Sequence, residues 1–207
     1  TGNSQRFADV FNPATGQVTG RVPLANQTDL ESAIASAQAA FPGWAGTTPL
    51  NRSRVLFKFK ELLEIHADEI AMAITLEHGK VFSDAKVELT LGLEVVEFAC
   101  GIPHLQKGEH SMNVGTGVDS YSEYSPLGVV AGITPFNFPA MVPLWMIANA
   151  VACGNAFVLK PSEKDPSASL FIAELLQKAG LPDGVLTVIH GDKLAVDTIL
   201  EHPDIAA

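Results

Sequence analysis

The residues best suited to chemistry are few, and they stand where apolar runs end. Lys160 closes the run NAFVLK, and Glu163 follows three residues later in PSEKDP. An ammonium and a carboxylate at that spacing can reach the two hydroxyls of a ribose. The same spacing also suits a pair that closes a turn and caps the next helix. Asn137 sits between two phenylalanines and two prolines in PFNFP. Its amide can donate to a developing oxyanion, and Asn is equally a residue that turn geometry favours. Phe136 and Phe138 beside it read as core or pocket wall. Cys100 and Cys153 each close an apolar helical run without a His or basic neighbour, so both read as small buried thiols rather than activated thiolates. His66, His78, His104, His110, His190 and His202 are scattered, with no pair at metal-ligand spacing, and no metal site is expected.

These residues need elements that bring them to one edge. From Leu127 onward the chain repeats strand, loop and helix. LGVVAGIT is followed by PFNFP and a helix from about Ala140 to Ala152; NAFVLK leads through PSEKDP to SASLFIAELLQKAG; VLTVIHG precedes DKLAVDTILEH. Strands this apolar, alternating with helices, predict a parallel sheet covered on both faces, with its ligand loops at the strand C-terminal ends. No GxGxxG follows LGVVAGIT, the GxG at Gly115 and Gly117 opens no helix, and no P-loop occurs. A dinucleotide on this sheet would therefore be held by side chains from successive strand ends.

Before Pro126 the pattern differs. FADVF and QVTGRVPL flank an NPATG turn and predict a β-hairpin. Thr28 and Glu31 carry a capping-box signature for an Ala-rich helix that Pro42 and Gly43 should end. Further helices are expected after Pro49 (Val55, Leu56, Phe59, Leu62, Leu63 and Ile65), over Ala67 to His78, and from Ser83 to Cys100 with Val87, Leu91, Val95 and Phe98 on one stripe. Ser111 to Ser125 reads as strand and loop. The organisation expected is a hairpin region over 1–25, helices over 26–110, a strand or linker over 111–126, and the first βα units of a Rossmann-type domain over 127–207.

The balance of 13 basic against 23 acidic residues, a net charge of −10, disfavours phosphate backbones and anionic membranes as partners. There is no signal-peptide pattern and no apolar run of membrane length, and two cysteines make no disulfide framework. A cytoplasmic, reducing setting is expected. A start at Thr1 rather than Met suggests processing, or a piece of a longer sequence.

The runs PLGVVAGITPFNFPAMVPLWM, CGNAFVLKPSE and GLPDGVLTVIHG resemble the N-terminal part of the NAD-dependent aldehyde dehydrogenase superfamily. The segments GLEVVEFACG and ADVFNPATG are similar to its CoA-acylating methylmalonate/malonate semialdehyde branch. The resemblance implies that Thr134, Pro135 and Phe136 line the NAD site, that Lys160 and Glu163 hold the adenosine ribose, and that Lys164 makes a further cofactor contact. It makes Asn137 the oxyanion-stabilising residue. In the family a Cys attacks the aldehyde, hydride passes to NAD, and the thioester is resolved by CoA in the acylating branch or by water elsewhere. That Cys is expected beyond Ala207, so residues 1–207 alone should be inactive. A homo-oligomer, dimer or tetramer, is implied. Two departures stand out: Leu91 precedes Gly92 where the branch carries Arg, and Tyr124 and Ser125 lie where relatives often have Arg. A neutral Leu cannot form the bidentate contact a carboxylate prefers. The alternatives are a non-acylating aldehyde dehydrogenase and a non-catalytic nucleotide-binding module.

Overall fold

In the computed structural model, which describes residues 4–207, the chain opens with an antiparallel hairpin of β1 (Phe7–Asn12) and β2 (Gln17–Pro23). Thr1, Gly2 and Asn3 of the expected hairpin region lie outside the described residues. Helices α1 (Gln27–Ala45), α2 (Pro49–Ile65), α3 (Ala67–His78), α4 (Phe82–Cys100) and the short α5 (Ile102–Leu105) follow. A second hairpin, β3 (His110–Gly115) with β4 (Val118–Tyr121), is exposed along its whole length. The remainder alternates as β5 (Val129–Ile133), α6 (Met141–Ala152), β6 (Ala156–Lys160), α7 (Pro166–Lys178), β7 (Leu186–Val188) and α8 (Lys193–Glu201).

β5, β6 and β7 form the expected parallel sheet, in that spatial order, with Ile133 opposite Lys160 and Leu159 opposite Val188. Every residue of β6 is buried, as its apolar sequence requires of a central strand. Ile205 bridges Val129 in parallel, and Ala206 and Ala207 share hydrogen bonds with Val129 and Ala131. Residues 205–207 thus lie on the free side of β5, giving the order β7, β6, β5, 205–207. The chain reverses its direction of travel across the sheet between β5 and residue 205, which is where open α/β sheets leave a crevice at their strand C-terminal ends. One core joins Val130, Phe157 and Leu159 to α2, α3, α4, α6 and α7; the other joins Val129, Ala156 and Val158 to α1 and α8.

Three local expectations need correction. The capping box of α1 is made by Asn26 and Asp29, two residues ahead of Thr28 and Glu31, with Asp29 N donating to Asn26 Oδ1 at 2.9 Å and Asn26 N to Asp29 Oδ2 at 3.1 Å. Pro42 does not end α1, which runs on to Ala45. The final turn is anchored by Trp44, 3% exposed, whose Nε1 donates to Val151 O at 2.8 Å. In α4 the inward face is Ala85, Glu88, Leu89, Gly92 and Val96, whereas Val87, Leu91 and Phe98 are exposed. The apolar stripe of Val87, Leu91 and Phe98 is not the buried face of this helix, because α6 packs against the face bearing Gly92.

Candidate active site

Three segments, those following β5, β6 and β7, meet at the C-terminal edge of the sheet. β5 runs into Thr134, whose backbone N–H donates to Lys160 O at 3.1 Å; β7 continues into Ile189, whose N–H donates to Leu159 O at 2.9 Å. These bonds extend the ladder one step beyond the strands and align Thr134, Lys160 and His190 along one edge. Lys160 is 6% exposed and its Nζ lies 3.2 Å from Glu163 Oε2. Glu163 does not cap α7. That helix starts after Asp165, and its Ser167 N–H and hydroxyl instead donate to the Glu77 carboxylate at 3.0 and 2.5 Å. The helix-capping role is thus taken by Glu77, while the Lys160–Glu163 pair spans the turn at the sheet edge.

Whether a dinucleotide suits this edge can be judged from its polar atoms. Thr134 Oγ1 is buried without a hydrogen-bond partner among the described residues, and so are both ring nitrogens of His190. Buried polar atoms without partners are uncommon, and these lie on successive strand ends beside a cation and a carboxylate. The residues present fit a group rich in hydroxyls and phosphates. Burial, with Lys160 adding to it, pushes the His190 imidazole down to about 4, so it is neutral near pH 7. His190 is not marked out by metal-ligand spacing, the one pattern in which the sequence tests its histidines. The available signal was its place at the end of an apolar strand, the same place that marks Lys160.

The PFNFP loop spans the gap between β5 and α6. Asn137 is exposed, and its side-chain amide has no hydrogen-bond partner among the described residues, while its backbone carbonyl accepts from Lys80 Nζ at 2.9 Å. Pro135 is exposed. Phe136 is stacked on His78, with centroids 5.8 Å apart, and carries Lys164 Nζ 4.6 Å from its own centroid. Lys164, His78 and Phe136 border a cleft of about 460 Å³ that is also lined by Phe11, Glu77, Glu163 and Asp165. The Asp165 carboxyl is pushed up to about 7, chiefly by burial, with the charges of Glu77 and Glu88 adding and Ser162 partly offsetting.

Neither cysteine fits a nucleophile. Burial raises the Cys100 thiol to about 11 and raises that of Cys153 as well, the reverse of activation. Leu91 is partly exposed on α4, and its carbonyl accepts from Trp145 Nε1 at 3.3 Å; Tyr124 is exposed. Among the described residues no helix is long and apolar enough to cross a membrane.

A parallel sheet reversing direction beside β5, with helices on both faces and paired charges along its C-terminal edge, defines an α/β module of the Rossmann type. The chain belongs to the aldehyde dehydrogenase family, whose sequence pattern matches residues 1–207. It is 57% identical over 202 residues to the malonate-semialdehyde dehydrogenase of Pseudomonas aeruginosa, covering 98% of this chain and 41% of that protein. It is 49% identical to the human mitochondrial methylmalonate-semialdehyde/malonate-semialdehyde dehydrogenase [acylating], covering 99% and 38%. The crystal structure of methylmalonate-semialdehyde dehydrogenase (DddC) from Oceanimonas doudoroffii superposes with a TM-score of 0.97 at 60% identity, over 99% of this chain and 42% of that one. A Sinorhizobium meliloti 1021 chain, described as a methylmalonate-semialdehyde dehydrogenase and solved in complex with NAD, is 56% identical with a TM-score of 0.97. The chain spans about two fifths of the length of these relatives.

Proposed function

We propose that residues 1–207 supply the NAD-gripping sheet edge and the oxyanion loop of a CoA-acylating dehydrogenase of malonate or methylmalonate semialdehyde. The observation that carries this reading is the alignment of Thr134, the Lys160–Glu163 pair and His190 on consecutive strand ends, next to the loop that presents Asn137. The names of the relatives support the semialdehyde substrate class, and several of them carry the word acylating.

NAD, when bound, supplies the hydride acceptor. Lys160 would donate to one ribose hydroxyl and Glu163 would accept from another, a two-point grip on the adenosine end without a glycine-rich turn. Thr134, Pro135 and Phe136 would line the dinucleotide site, and Lys164 would add a positive charge at its rim. Asn137 aims its free amide outward from a fixed backbone, as a donor to the oxygen that becomes negative when the aldehyde carbonyl is attacked. Neither thiol of residues 1–207 serves as the nucleophile in this reading, since burial raises both. The exposed β3–β4 hairpin, with Met112, Val114, Val118 and Tyr121 uncovered, serves a homo-oligomeric contact in this reading.

The test is product stoichiometry with the complete enzyme, malonate semialdehyde, NAD and CoA. Acyl-CoA should form one for one with NADH and depend on added CoA. Free acid released equally well without CoA would replace the acylating reading with the hydrolytic one.

A further inference from the structure

Lys80 and Glu88 form a buried ion pair with no role in the reading so far. Lys80 follows Gly79, which ends α3 at φ 83°, a left-handed turn that Gly takes without strain and that redirects the chain toward the PFNFP loop. The Lys80 ammonium lies 2.5 Å from Glu88 Oε2, 2.9 Å from Asn137 O and 4.5 Å from the centroid of Phe138. The Glu88 side chain on α4 is 1% exposed. Its other oxygen, Oε1, accepts from the backbone N–H groups of Ala140 at 2.9 Å and Met141 at 3.2 Å, closing the N-terminal turn of α6. From α7, the Ser169 hydroxyl donates to Pro139 O at 2.9 Å. The backbone from Asn137 to Met141 is therefore held by the side chains of Lys80, of Glu88 on α4 and of Ser169 on α7, while the side-chain amide of Asn137 has no hydrogen-bond partner among the described residues.

A buried charge pair is a poor way to stabilise a loop, because desolvation consumes most of its attraction. It is a good way to fix one geometry, since a displaced Lys80 would strand the Glu88 carboxylate in the core. We infer that Lys80 and Glu88 are positioning residues that set the Asn137 amide for the oxyanion. The inference rests on the proposed role of Asn137.

The experiment uses the complete enzyme with malonate semialdehyde, CoA and NAD, followed by NADH absorbance. Asn137→Ala, Lys80→Met and the double variant are compared. Lys80→Met is expected to lower kcat by about 10- to 100-fold with little change in KM for the aldehyde or in NAD affinity, as misplacement of a reacting group does. In the Asn137→Ala background the same substitution should cost nothing further, because there is no longer an amide to position. An equal loss in both backgrounds, or unchanged kcat in Lys80→Met, overturns the inference. Unchanged kcat in Asn137→Ala overturns the oxyanion reading itself and the inference with it. Should Lys80→Met not fold, Glu88→Gln keeps an acceptor for the two α6 amides while weakening the hold on Lys80. It should then give the same split, and a loss independent of Asn137 counts against the clamp.

Discussion

Lys160 ends a strand buried on both faces, so its ammonium is confined by neighbours on β5 and β7 and meets Glu163 in one place. That much is readable from NAFVLKPSE, because a polar residue ending an apolar run marks the sheet edge. The environments of Asp165 and His190 are not readable in this way. The charges that act on Asp165 come from Glu77 and Glu88, about eighty residues away in sequence at the latter position. Asp165 favours the protonated form in the folded protein, with a value of about 7 against 3.8 in an ordinary carboxyl. Between those values the native state holds the extra proton, so stability falls as pH rises through the window and stays low above it. Asp165→Asn should therefore raise the denaturant midpoint relative to wild type more at pH 8 than at pH 4.5. An identical difference at both pH values would mean that Asp165 is charged throughout. His190 acts with the opposite sign. Its imidazole is held to about 4 against an ordinary 6.5, so its contribution is lost as pH falls from 6.5 toward 4.

Helices α4 and α6 are the pair on which the oxyanion loop depends, and they meet at Gly92. A Cβ there would lie 2.6 Å from Leu144 Cδ1, 3.2 Å from Leu144 Cβ and 3.4 Å from the Met141 Cα, with Leu144 wholly buried. Gly92→Ala is expected to destabilise the protein by about 1–3 kcal/mol through overpacking, read from the shift in urea midpoint at constant slope. An unshifted midpoint would show slack between the helices. This contact also explains why α4 was half legible in its sequence. Its length and limits follow from periodicity, but the choice of buried stripe belongs to a partner helix that local sequence cannot specify. In α1 the capping chemistry was legible in kind and displaced in position, since Asn26 with Asp29 competes with Thr28 and Glu31 for the same start. Its passage through Pro42 was hidden because the compensating bond, Trp44 to Val151, spans 107 residues.

At the scale of the molecule, the parallel sheet and its ligand edge follow from three apolar runs and the loops after them, and the reversal of direction at β5 adds the crevice. The net charge of −10 makes the local cations at Lys80, Lys160 and Lys164 more telling, since three of the chain's 13 basic residues gather around the PFNFP and PSEKDP loops. The edge of that sheet is the centre of the account, and equilibrium titration of the complete enzyme with NAD tests it most directly. Wild type should bind, and Lys160→Ala and Glu163→Ala should each weaken binding by about 10- to 100-fold, the loss expected for a hydrogen bond to a charged group. NAD affinity unchanged in both variants would contradict the account.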